Sequence, residues 1–213
     1  MNTRRENTTL SFERILFFSD AVFAIAITLL VLEIKVPHIP HETLSEAAVR
    51  HALVELLPKF AGFFFSFFII GLMWIEHHRI FRFIGDYDMG LVWRNLLFML
   101  FVAFIPFPTA MFSEYFLSTT AFILYVAGFA TAAALKAWIW HHAAARRESL
   151  IVADVDDATI REIARRSWAV PIVCGVAMLA AIFVGPFGGF AFPFIPLVAN
   201  LLGRSAKEAK AEA

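Results

Sequence analysis

The chain has 213 residues, of which 60% are hydrophobic and 25 are phenylalanine; its mean hydropathy of +0.73 lies far outside the range of soluble globular domains. Its formal net charge is zero, so no global basic field argues for a nucleic-acid partner. Together these values point to an all-α integral membrane protein.

Taken in order, Met1 to Asn7 form a polar stretch with Arg4 and Arg5 that reads as a short cytoplasmic tail. Thr8, Thr9 and Ser11 offer caps for a helix starting near Phe12. A first span over residues 12–36 is closed by Pro37 and Pro40. It is about twice as long as a signal-peptide core and lacks an A-x-A-like exit before Glu33 and Lys35, so it is expected to be retained. A polar connection over 38–50 has an amphipathic pattern (Leu44, Ala47, Ala48, His51).

The second span, 56–76, is dense in Phe and runs into Glu76, His77, His78 and Arg79. A third, 91–112, is expected to bend or unwind its last turn at Pro106 and Pro108. The fourth, 117–141, places Trp138 and Trp140 as an interfacial belt. The charged stretch His141 to Arg166 reads as a soluble loop with a helix through Ile160 and Ile163. A fifth span covers 168–184, GPFGG makes a tight turn, and a sixth covers 190–202 with Pro193 and Pro196 inside it. At about 1.5 Å per residue the sixth barely crosses the hydrocarbon. Residues 1–203 thus read as one six-helix membrane domain, and 204–213 as a charged cytoplasmic tail.

Charge bias supports that count. With both termini inside, Arg4, Arg5, Arg14, Arg79, Arg82, Arg94, Arg146, Arg147, Arg161, Arg165, Arg166, Arg204, Lys207 and Lys210 all fall on the cytoplasmic side. Lys35, Arg50 and Lys59 fall outside, with Lys136 near the inner end of the fourth span.

The first span carries the informative polar residues. At about 100° per residue, Ala21, Ile25, Thr28, Leu29 and Leu32 share one face while Asp20 points away from it. An aspartate at membrane depth needs partners inside the protein. The topology brings Arg14, Ser19, Asp20, His77, His78, Arg94 and Asn95 to one depth. They are expected to form a polar clamp that fixes the rotation of the first helix, against the alternative of a simple juxtamembrane ion pair.

Arg14, Phe18, Ser19 and Asp20 spell RxxxFSD, followed by AVFAIAITLLVLEIKVP. This stretch resembles the first helix of the transmembrane-protein-175 family of potassium channels. In that family the first helix lines the pore and bulky aliphatic side chains form its narrowest point. By position, the resemblance implies a constriction at Ile25, then Thr28 or Leu29, then Leu32. Animal members repeat the six-helix unit twice, so the resemblance implies a homotetramer here, set in the inner membrane of a bacterium. Monovalent cations would be the permeants, with potassium near Thr28 and no cofactor.

Aliphatic rings offer an ion no replacement ligands, which favours the cation that dehydrates more cheaply, potassium over sodium. The ordinary alternative is that these side chains face lipid or neighbouring helices. Four Thr28 hydroxyls could coordinate a partly stripped ion, or each could bond a carbonyl one turn back. Glu33 lies near the pore face, as an acidic ring or as a solvated end charge. No TVGYG-like run is present. The runner-up function is a proton-coupled transporter or proton-conducting channel using Asp20 and His77.

Other chemistries find little support. Adjacent His77 and His78 point to different sides of a helix and lack HExxH spacing, as do His141 and His142. Asp154, Asp156 and Asp157 lack the Gly and terminal Glu of a calcium loop. Cys174, the single cysteine, reads as a small buried hydrophobe. No nucleotide-binding or serine-hydrolase motif occurs, so the chain is not read as an enzyme.

Overall fold

The computed structural model describes the backbone of residues 2–211 and the side chains of residues 12–203. The side chains of Arg4, Arg5, Thr8, Thr9 and Ser11, and those of the charged tail 204–213, lie outside the described residues. Helix α1 (Asn2–Leu29) begins ten residues before the expected start, and a 3₁₀ turn over Leu30–Glu33 closes it short of Pro37. Then come α2 (Glu46–Glu55), α3 (Leu57–Phe81), α4 (Met89–Phe104), α5 (Pro106–Glu114), α6 (Thr119–Ala145), α7 (Arg147–Leu150), α8 (Asp157–Arg166) and α9 (Ala169–Val184). A 3₁₀ run over Gly185–Phe194 leads into α10 (Ile195–Ala211). Among the described residues the only extended pairing is an isolated bridge between Ile84 and Ile151.

Among the described residues five stretches are long and apolar enough to cross a membrane: Phe12–Glu33, Leu57–Phe81, Met89–Glu114, Thr119–Ala145 and Asp157–Gly203. The third is broken where proline chemistry requires it. Pro106 has no N–H to donate, so α4 stops at Phe104 and α5 restarts with Pro106 in its first turn. The helix does not merely unwind its last turn there; it resumes and continues to Glu114. Thr109 helps at the break, its hydroxyl donating to the Ile105 carbonyl at 2.9 Å.

The fifth stretch doubles back on itself. Gly185 takes φ +65°, a left-handed conformation natural to glycine, and the chain returns along α9. Gly188 lies so close to α9 that a Cβ would sit 2.4 Å from the Ala177 carbonyl oxygen. GPFGG therefore makes the tight turn and at the same time starts a 3₁₀ limb over Gly185–Phe194. The 3₁₀ geometry also changes the length argument. Ten residues at about 2.0 Å each, then nine at about 1.5 Å, give roughly 33 Å, enough for a hydrocarbon core of about 30 Å. The returning limb ends where Gly203 meets Arg166 at the close of α8, back at the level where α9 began.

Helix α6 is the centre of the bundle, packing against α4, α5 and α9. Ala132, Ala133, Ala137 and Ala143 are buried along it and let neighbours approach closely. Trp140 is fully buried and donates to the Ile160 carbonyl at 3.1 Å, so it anchors α8 instead of serving in an interfacial belt. Trp138 is 44% exposed. A second buried polar contact joins α3, α5 and α6 through Ser66, whose hydroxyl lies 2.9 Å from Thr109 Oγ1 and 3.1 Å from Tyr125 Oη.

Candidate pore-lining helix

One seam of α1 is buried: Ser19, Phe23, Ala26 and Leu30 are each at most 1% exposed. Their spacing of three and four residues is that of a single helical stripe, and it packs against α3 and α4. The opposite side carries Arg14, Phe18, Ala21, Ile25, Thr28 and Leu32, all exposed, with Leu29 at its margin. Ile25 is 57% exposed, Leu29 40% and Leu32 66%. The Thr28 hydroxyl lies 3.0 Å from the Ala24 carbonyl oxygen and 2.9 Å from that of Ile25, donating into the backbone behind it. Its proton is thereby directed inward, while the oxygen remains on the exposed face.

Three of the seven residues expected at the clamp meet. Ser19 donates to the Ile15 carbonyl at 2.9 Å and accepts from Asn95 Nδ2 at 2.8 Å. That leaves Asn95 Oδ1 for His77, whose Nε2 lies 3.0 Å away. Since the amide oxygen can only accept, Nε2 must carry the proton in this arrangement. The His77 ring sits between Phe23, Phe81 and Phe98, with centroids 5.7, 4.3 and 5.6 Å away. α1, α3 and α4 are thus tied by hydrogen bonds inside an aromatic box.

The other four lie elsewhere. Asp20 turns to Trp74, whose indole N–H donates to Oδ1 at 2.8 Å. A tryptophan one turn before His77 was the unrecognised partner; its position on the same helix at the same depth was the available signal. Arg94 turns away from Asp20, donating to the Gly90 carbonyl at 2.8 Å and stacking 4.3 Å over the Trp138 ring. The carbonyl and the aromatic face hold the guanidinium away from the carboxylate, and its Nε is left buried without a hydrogen-bond partner among the described residues. His78 is exposed beside Trp74, and Arg14 is exposed with Phe18 at a cleft shared with Tyr87 and Asn95.

A further charged cluster, absent from the sequence reading, stands at the same end of the bundle. Asp88 caps α4, accepting from the Leu91 N–H at 2.6 Å, and is met by His142 Nε2 at 2.8 Å and Arg146 Nε at 3.2 Å. Burial opposes ionisation of Asp88. The hydrogen bonds from His142 and Leu91, with the charge of His142 and Arg146, outweigh it and hold the carboxyl below the usual aspartate range. At the opposite end, Glu33 and Lys35 are exposed on a cleft of about 340 Å³ shared with Lys59 and Glu114, and Lys59 pairs with Glu114 at 2.8 Å.

Long apolar helices around a central α6, with a hydrogen-bonded polar cluster on the leading helix, define a multi-span α-helical membrane protein. The family described as "Endosomal/lysosomal potassium channel TMEM175" matches over residues 14–106. A potassium channel of Streptomyces collinus is 37% identical, with 79% of this chain and 83% of that protein aligned. The crystal structure of a lysosomal potassium-selective channel TMEM175 homologue from Chamaesiphon minutus superposes with a TM-score of 0.72 at 32% identity, covering 92% of this chain and 98% of that one. The chicken (Gallus gallus) endosomal/lysosomal proton channel TMEM175 is 35% identical over 50% of this chain and 22% of its own length. The chain belongs to the TMEM175 family of ion channels.

Proposed function

We propose that this chain is the subunit of a potassium-conducting channel. Four copies set α1 around a common axis, and Ile25, Leu29 and Leu32 form successive aliphatic rings at the narrowest part. The observation that carries this reading is the exposed apolar face of α1 lying opposite a buried seam whose rotation is held by Ser19, Asn95 and His77. A helix oriented in this way can present the same side chains from every copy. Ions crossing such rings shed most of their water and gain no ligands in return, which penalises sodium more than potassium. The Thr28 oxygens, one level among the aliphatic rings, are placed to lower that cost. The names of the Streptomyces and Chamaesiphon relatives support potassium as the permeant.

Six passes with both termini and the arginine-rich end on the cytoplasmic side fit the charge bias, and the Streptomyces and Chamaesiphon relatives support a bacterial membrane as the setting. Proton conduction is the second reading, favoured by the description of the animal relatives. It has a weaker physical basis here, because Trp74 and Asn95 occupy the positions next to Asp20 and His77 where a relay would need titratable groups. Flux from proteoliposomes under opposing potassium and sodium gradients, with internal pH recorded, tests both. Potassium flux that changes on Ile25→Ala or Leu32→Ala supports the channel. Saturable flux that follows pH and ignores both substitutions refutes it.

A further inference from the structure

On a side of the bundle to which α1 contributes nothing, α3, α6, α9 and the 3₁₀ limb enclose an apolar groove of about 360 Å³. Between Phe65 and Glu76, both of which line it, eleven residues of α3 span roughly 16 Å. That is about half of a hydrocarbon core of about 30 Å, the reach of one leaflet. At the groove's inner end stands Lys136, with only 11% of its side chain exposed, which keeps its charge only where an anion meets it. A buried ammonium requires an anion, and the acid nearby serves it poorly. Glu76 Oε2 is 4.0 Å from Lys136 Nζ, its other oxygen is 3.8 Å from Arg79, and its side chain is half exposed. A neighbouring cavity of about 250 Å³ shares Glu76 and adds Arg79, Arg166 and Glu162. Counting Lys136, these five groups sum to one net positive charge.

We propose that this groove holds one acyl chain of an anionic phospholipid from the inner leaflet, with its phosphate against Lys136 and Arg79. The apolar walls match the chain in length, and the excess charge matches a phosphodiester. Glu76 competes with the phosphate for both cations and so sets the strength of binding. The site stands independently of what the channel conducts.

Native mass spectrometry of purified full-length protein, titrated with phosphatidylglycerol or phosphatidylcholine of identical chains, tests it. Wild type is expected to retain phosphatidylglycerol roughly tenfold better, a preference equivalent to about 1.4 kcal/mol. Lys136→Met should abolish the preference, and Leu72→Trp, which narrows the groove from its exposed side, should weaken retention of both lipids. Glu76→Gln should raise the preference, an outcome that a merely structural role for the pair does not produce and that keeps the test open if Lys136→Met fails to fold. Equal retention of the two lipids by wild type, an unchanged preference in Lys136→Met, a weaker preference in Glu76→Gln, or a groove covered by a neighbouring copy that retains no lipid would each overturn the proposal.

Discussion

The hydrogen bond between His77 and Asn95 makes a sharp prediction, because both residues are buried and each has an apolar replacement of similar shape. Asn95→Leu leaves the His77 N–H without an acceptor among Phe23, Phe81 and Phe98, while Ser19 keeps its bond to the Ile15 carbonyl. His77→Phe leaves the Asn95 oxygen unpaired instead. In a water-soluble protein each orphaned group would cost about 1–3 kcal/mol. Between membrane helices the unfolded reference also finds partners, and measured bonds average about 0.6 kcal/mol with a maximum of about 1.7. Each single variant should therefore lose about 0.6–1.7 kcal/mol. The double variant orphans nothing between the two positions and should recover about 1 kcal/mol relative to the sum of the singles. Reversible unfolding in mixed micelles gives the cycle, and potassium flux from the same preparations shows whether a loosened α1 alters permeation. If the singles add to within about 0.5 kcal/mol and both conduct as wild type, these residues do not hold the rotation of α1.

Other consequences are quicker to state. Because Ile25 and Leu32 are more than half exposed in the subunit, Ile25→Ala and Leu32→Ala should change its stability by under about 0.5 kcal/mol yet lower potassium-over-sodium selectivity in bi-ionic reversal potentials. Gly188→Ala forces a Cβ against the backbone of Ala177 and Ala181 and should cost at least about 1–3 kcal/mol, seen as loss of thermal stability in detergent. Asp88 has its carboxyl held below the ordinary aspartate range. Its contribution to stability is thus complete above about pH 4, the unfolded value, and is lost as pH falls through the lower folded value. An acid-unfolding midpoint that Asp88→Asn leaves unmoved would contradict this.

Membrane character and element order were readable because they rest on quantities that sum over many residues: hydropathy over a span, charge over a loop. The exposed face of α1 was readable for a related reason, since Ala21, Ile25, Thr28, Leu29 and Leu32 recur with helical period; the buried seam of Ser19, Phe23, Ala26 and Leu30 opposite it is seen only in the structure. Partner choice was not, because it depends on side-chain direction at a crossing. Asp20 takes an indole N–H where arginine and histidine were expected, and Arg94 takes an aromatic face. Both choices follow from which way a helix is turned, information that residue type and depth do not carry. The return limb is longer than residues 190–202 alone suggest, because the 3₁₀ run already begins at Gly185 and rises further per residue than an α-helix. Gly188, which only a small residue could satisfy at that contact, was the local clue.

The central place of α6 explains why α1 can serve as a shared element. Half of the most apolar window of α6 is buried within the subunit, against 22% of that of α1 and 17% of that of α3, so the outer helices keep faces for other contacts. Small residues draw α4, α5 and α9 onto α6, and α1 adds to that core the buried stripe of Ser19, Phe23, Ala26 and Leu30, flanked by the half-buried Phe12, Leu16, Val22 and Ile27. A helix held by one stripe keeps most of its circumference for other contacts. Its fixation then falls to directional bonds, since between apolar helices in lipid no hydrophobic force distinguishes one rotation from another. The Ser19, Asn95 and His77 chain supplies that direction. A turn of α1 by one residue, about 100°, would bury Asp20 in place of Ser19 and leave its carboxylate without Trp74, so the same polar residues that hold the working orientation also penalise its nearest competitor.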